Sequence, residues 1–107
     1  MARRHFSLNE PAGVWDVHVD DEIVIEIPEL ATSGYIWSFR AEPDDCIRVE
    51  QSGYLPPQSD AGGAAGTRQI RLRTLRGGTA TLTFQLVSPF RKKDPPERTG
   101  TIVLHVS

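Results

Sequence analysis

The sequence predicts an all-β domain built as a β-sandwich of about seven strands. Three observations predict it. Apolar residues recur at every second position in one segment after another, the period of a half-buried strand. No segment sustains helical periodicity over three turns. Clusters of Gly, Pro, Asp and Ser separate the segments in the manner of a sandwich rather than a closed barrel. With 107 residues, the chain suits one domain, 1–107, around one core.

The elements follow in order. Val14, Trp15, Val17 and Val19 make a first β-prone run, with Asp16, His18 and Asp20 between them. Ile23, Ile25 and Ile27 then alternate with Glu22, Val24 and Glu26, and Pro28 is expected to end that strand. Tyr35, Trp37 and Phe39 share one face of the next strand, which closes on the turn Glu42-Pro43-Asp44-Asp45. Cys46 to Val49 forms a short strand, followed by a long Gly/Pro/Ser-rich passage, 52–67. Ile70 and Leu72 face inward in the strand 68–75, and Gly77-Gly78 is a tight-turn signal of the hairpin kind. Ala80, Leu82, Phe84 and Leu86 line one face of 79–87. A polar loop, 88–98, is broken by Pro89, Pro95 and Pro96 before Ile102, Leu104 and Val106 close the domain.

If successive strands run antiparallel, the parity of the connections sorts them into two ends. The long loops 28–34, 52–67 and 88–98 fall together, and the short turns 20–22, 41–45 and 76–78 fall opposite. Long loops gathered on a rigid scaffold are where binding residues concentrate. The plain alternative is that surface loops lengthen at little entropic cost.

Composition excludes several functions. Twelve basic and fourteen acidic residues leave a net charge of −2, no field for nucleic acid or an anionic membrane. Arg91-Lys92-Lys93 is the only basic run and sits beside Asp94 and Glu97. Arg68, Arg71 and Arg73 are read as guards of an edge strand. One cysteine, Cys46, excludes an internal disulfide and reads as an inert core thiol. His5, His18 and His105 lack metal-ligand spacing, and Asp20-Asp21-Glu22 reads as an exposed acidic turn. Gly62-Gly63-Ala64-Ala65-Gly66 has no Walker lysine after it and serves close backbone approach instead. No constellation supports an enzyme, and no catalytic residue, metal or cofactor is expected. No run nears the roughly 20 apolar residues of a membrane span. Basic residues near the start precede no apolar run, so the expectation is a cytoplasmic protein, with a cleaved leader as the alternative.

Two segments carry more information. In Leu30-Ala31-Thr32-Ser33-Gly34-Tyr35-Ile36-Trp37, short side chains occupy a loop tip over an aromatic anchor, Trp37. Ser88-Pro89-Phe90 sets a proline and an aromatic beside the charged run. There Phe90 either projects as an anchor for a partner or folds back over the core.

These segments, in this order, resemble the chagasin family of cysteine-peptidase inhibitors, from about residue 14 to 106. Thr32, Gly34, Tyr35 and Trp37 agree with the family pattern Asn-Pro-Thr-Thr-Gly-Tyr-x-Trp, and Ser33 keeps a hydroxyl. Leu30 and Ala31 replace Asn-Pro. Gly62, Gly63, Ala64, Ala65 and Gly66 with Thr67 match the glycine-rich second signature. Ser88, Pro89 and Phe90 stand where the family has Arg-Pro-Trp, with Arg91 a cation close by. The resemblance implies an immunoglobulin-like antiparallel sandwich, a monomer, whose partner is a papain-like cysteine peptidase. Thr32, Ser33 and Gly34 would approach the catalytic cysteine, with loops 62–67 and 88–93 straddling the cleft, and the peptidase-binding residues would be 30–34, 62–66 and 88–91. The absent proline at Ala31 predicts a softer first loop. The alternative function is a non-inhibitory protein-binding module on the same scaffold.

Overall fold

The computed structural model describes residues 2–9, 11–57, 65–91 and 93–107. Eight strands form: β1 (Arg3–Ser7), β2 (Ala12–Val17), β3 (Glu22–Glu29), β4 (Ile36–Glu42), β5 (Ile47–Leu55), β6 (Gly66–Thr74), β7 (Gly78–Val87) and β8 (Arg98–Val106). They build two four-stranded sheets, ordered β1-β3-β6-β5 and β2-β8-β7-β4. The alternating residues close the space between them. Ile23, Ile25 and Ile27 meet Ile70 and Leu72 from one sheet, and Leu82, Phe84, Ile102 and Leu104 from the other, all essentially without solvent contact. Cys46 is a buried free thiol in this core.

Several expectations need correction. The strands number eight, because β1 was not legible: its one core-facing side chain is Phe6, which stacks on Trp15 with centroids 3.7 Å apart. The sandwich is not wholly antiparallel, since β1 runs parallel to β3 and β2 parallel to β8. The chain crosses between sheets at each early connection, so strands two apart in sequence return to one sheet pointing the same way. Pro28 does not end its strand but pairs with Thr67 inside it. β1 ends opposite Glu26, so beyond that point one side of β3 has no neighbour needing an N–H. β5 runs to Leu55, which shortens the second long loop to 56–65. Gly77-Gly78 makes no hairpin: β6 and β7 lie in different sheets, and the turn carries the chain across. β6 is an interior strand, so its arginines guard no edge.

Parity nevertheless holds within each sheet. The connections 30–35, 56–65 and 88–97 leave from one end, joined there by the link from β1 to β2. At the other end the short turns are laced together, and Asp21 organises them. It is buried, contrary to the exposed acidic turn expected. Its carboxylate accepts the backbone N–H of His18 (2.9 Å) and of Ala2 (3.2 Å), with Arg4 at 3.7 Å. Its own N–H donates to the Thr74 hydroxyl, which donates to the His18 carbonyl.

Burial works against the charged form of Asp21, but the two backbone hydrogen bonds and the charges of Arg4 and His18 outweigh it. The carboxyl is held below its ordinary value of 3.8. A depressed folded-state value means that the contribution is fully present above the unfolded pKa and is lost as pH falls through the folded one. Asp21→Asn is therefore expected to lose about 1–3 kcal/mol at neutral pH. Below about pH 4 the gap from the parent should narrow. Urea unfolding of both proteins at pH 7 and pH 3 measures this, and a gap that stayed constant would refute the assignment.

Candidate functional site

The loop end is built on topology. Residues 30–35 carry the chain from β3 to β4, from one sheet to the other, so this first loop emerges between the sheets. Residues 56–65 join β5 to β6 within one sheet, and residues 88–97 join β7 to β8 within the other. A central loop is thus flanked by one hairpin loop on each side. Pro28 and Glu29 at the end of β3, Leu30 and Ser33 from the first loop, Ala65 from the second, and Leu86, Glu97 and Arg98 from the base of the third line one cavity of about 270 Å³.

The first loop is one turn of 3-10 helix, Ala31–Ser33. Leu30 precedes it with extended backbone, and Gly34 follows at φ 80°, ψ 6°. A Cβ on Gly34 would touch nothing within 4 Å, so glycine is required there for its left-handed backbone and not for space. Ser33 laces the turn. Its N–H and its hydroxyl both donate to the Leu30 carbonyl, at 3.0 and 2.7 Å, and its Oγ accepts the Tyr35 N–H at 3.1 Å. The softening expected from the missing proline is offset by this lacing. Leu30, Thr32, Ser33 and Gly34 are exposed.

Beneath the tip lies Trp37, 5% exposed. Its indole Nε1 donates to the Pro28 carbonyl at 3.0 Å, and the Arg98 guanidinium sits over its ring, 5.8 Å from the centroid. The first residue of β8, the strand that follows the third loop, thus places a cation over this aromatic base. Glu29, also buried, accepts the Trp37 N–H at 2.7 Å and a two-pronged grip from Arg68, Nε at 3.2 Å and Nη2 at 2.7 Å. Arg68 in turn lies over Tyr54, 6.0 Å from the ring centroid. A Cβ on Gly66 would come within 2.4 Å of the Tyr54 ring and 2.5 Å of the Leu55 carbonyl. Gly66, the last residue of the glycine-rich motif, is thus fixed by close packing.

The third loop turns tightly at its start. Arg91 N–H donates to the Ser88 carbonyl at 3.2 Å, and Asp94 N–H to the Arg91 carbonyl at 3.0 Å. Ser88 is half-buried, Pro89 and Arg91 are exposed, and Phe90 is 89% exposed. This decides between the two readings of Phe90: it projects. Gly62, Gly63 and Ala64 lie outside the described residues, whereas Ala65 and Gly66 stand at the start of β6.

Sequence reasoning missed Glu29 and Arg68. Their signal was present, because Glu29 continues the inward parity of Ile23, Ile25 and Ile27, and Arg68 that of Ile70 and Leu72. Opposite charges that each fall on a core face, on strands that pair, form a partly buried ion pair. Among the described residues no group of His, Cys, Asp and Glu could hold a metal ion.

An immunoglobulin-like sandwich ending in three gathered loops over a braced base is a scaffold for gripping another protein. The chain matches the family model described as Chagasin family peptidase inhibitor I42 over residues 16–106, and it belongs to that family. It is accordingly a cysteine-peptidase inhibitor by family. Chagasin of Trypanosoma cruzi is 26% identical over 78 residues, 69% of this chain and 71% of that protein. The cysteine protease inhibitor EhICP2 of Entamoeba histolytica has the same fold, with a TM-score of 0.86 at 23% identity, over 99% of this chain and 96% of that one. PbICP-C, solved in complex with falcipain-2, aligns with a TM-score of 0.65 at 14% identity, over 97% and 98% of the two chains.

Proposed function

We propose that residues 30–34 form the central wedge of the inhibitory surface, entering the peptidase cleft at the catalytic cysteine. The glycine-rich segment 62–66 and Ser88–Arg91 straddle the cleft on either side. One observation carries this assignment: residues from all three loops line a single cavity, and the first loop rises between the other two because it alone of the three crosses between the sheets.

The chemistry is occlusion without cleavage. Thr32, Ser33 and Gly34 are small enough to enter a narrow cleft. The Leu30 carbonyl is engaged twice by Ser33, so the turn is held closed and is not offered as an extended strand. Order already present in the free loop lowers the entropic cost of docking. Phe90 provides the exposed aromatic anchor on one flank, and Pro89 restricts its backbone.

The test is a titration of active-site-quantified papain at nanomolar concentration with the purified protein. The expected result is saturable, reversible inhibition with the inhibitor recovered intact. The joint substitution Thr32→Arg, Ser33→Ala, Phe90→Ala should weaken inhibition by about a hundredfold or more. All three side chains are exposed, and the Ser33 hydrogen bonds are local, so unfolding should shift by only about 1 kcal/mol. Unaltered inhibition by this folded variant would refute the loop assignment. Absence of inhibition by the folded parent at high micromolar concentration would favour a non-inhibitory binding module.

A further inference from the structure

We propose that the partly buried ion pair between Glu29 and Arg68 is a positioning device that sets the first loop against the second, so that inhibition depends on it although neither side chain reaches the peptidase. The inference rests on the loop-occlusion reading above.

The argument begins with location. The inner faces of β3 and β6 are apolar through Ile23, Ile25, Ile27, Ile70 and Leu72, with Thr74 closing the far end; the pair lies at the loop end, where Glu29 closes β3 and Arg68 stands two residues into β6. A buried ion pair is a poor source of net stability, because desolvation offsets much of its attraction. What it supplies is geometry. A carboxylate gripped by both prongs of a guanidinium has little freedom in distance or angle.

Among the described residues, each partner of the pair stands at the base of a loop. Glu29 enters the first loop, and the Trp37 N–H that it accepts lies where that loop leaves. One carboxylate therefore holds both stems. Arg68 follows the second loop, and Tyr54, over which it lies, precedes that loop. Trp37 continues the chain of contacts to Arg98, which follows the third loop, while the Glu97 N–H ties that loop's return to the Leu86 carbonyl at 2.8 Å. A connection thus runs beneath the tips from one flank to the other, with the ion pair as an ionic joint within it. Register supports this joint. Glu29 lies opposite Gly66 and Ile27 opposite Arg68, so the two charged side chains are diagonal neighbours on one face of a paired ladder.

The experiment compares the parent with Glu29→Gln, Arg68→Met and the double variant Glu29→Met/Arg68→Met. Three readouts are taken: urea unfolding, papain inhibition with association and dissociation rates, and amide hydrogen exchange at Tyr35, Trp37, Ala65 and Gly66. Each single variant should raise the inhibition constant by about tenfold or more, mainly through faster dissociation. Exchange at amides of both loop stems should rise together. The double variant is the decisive one, because an apolar pair of similar volume restores stability where a half-removed pair does not. It should recover most of the stability that the single variants lose, falling short of the parent by the unpaired Trp37 N–H, yet remain about tenfold weaker, with fast exchange.

A double variant inhibiting within about twofold of the parent would overturn the proposal, since the pair would then be structural only. Weakened inhibition with parent-like exchange would also overturn it, by placing one side chain in direct contact with the peptidase. Should a single variant fail to fold, the double carries the comparison alone. Should the parent itself fail to inhibit papain, the loop-occlusion reading fails, and exchange alone decides the positioning role: joint acceleration in both stems supports it, and unchanged exchange rejects it.

Discussion

Trp37→Ala is expected to lose about 3–5 kcal/mol of stability. Three losses combine. The indole is 5% exposed and lies over the core at the loop end, so its removal opens a cavity that neighbouring strands cannot fill. The Pro28 carbonyl loses its donor. Arg98 loses the ring beneath it. Domains of this size have about 5–15 kcal/mol to lose, so a large fraction of the variant unfolds under mild denaturant. Trp37→Phe keeps one aromatic ring but loses the indole hydrogen bond and part of the buried ring volume, and should cost about 2–3 kcal/mol. Urea unfolding of the three proteins decides the matter. A loss below about 1 kcal/mol for the alanine variant would mean that the loop base rests on something other than this side chain.

Phe90→Ala should do the reverse. Its ring is 89% exposed, so its removal should leave the unfolding midpoint unchanged. An exposed aromatic that becomes buried on docking carries a hot-spot contribution of about 2 kcal/mol or more, a weakening of roughly thirtyfold. Phe90→Trp returns the indole of the family pattern and should tighten binding or leave it equal. Inhibition constants for a panel of papain-like peptidases, measured beside unfolding curves, test both statements. Equal inhibition by the alanine variant across the panel would remove Phe90 from the interface. The contrast between the two aromatics is the useful part: one holds the loops up from below, the other waits for a partner.

The two-residue periodicity made most of the fold legible. It placed Ile23, Ile25, Ile27, Ile70, Leu72, Leu82, Phe84, Ile102 and Leu104 on inner faces, and the structure buries every one of them. A side chain's face depends only on its own strand, so one strand's sequence suffices to read it. β1 was missed for the converse reason. An edge strand with Phe6 as its sole inward anchor carries no alternation, and its position comes from pairing with β3 and stacking on Trp15. The expected end at Pro28 failed similarly, because whether a missing N–H matters depends on which neighbour lies alongside.

The candidate site divides along the same line. Thr32, Ser33, Gly34 and Trp37 were legible because a tight turn is local chemistry. A left-handed glycine and a hydroxyl that bonds back within three residues can be recognised without the rest of the chain. Asp21 looked like an exposed turn residue for want of non-local information: its partners Ala2 and Thr74 are separated from it by 19 and 53 residues. Arg68 was read as an edge guard although its inward parity was legible; what the sequence did not show was its pairing with Glu29, 39 residues away.

The amino-acid sequence by itself determined which faces are apolar, where the turns fall, that the long loops share an end, and which family pattern these loops carry. All of these follow from neighbours a few residues apart. Only the tertiary structure decided which sheet each strand joins, that two pairings are parallel, that Phe90 projects, and that a partly buried ion pair braces the loops. Those outcomes depend on contacts between distant segments. Such contacts arise when hydrophobic burial brings the segments together and every polar group trapped there must find a partner or remain unsatisfied at a cost.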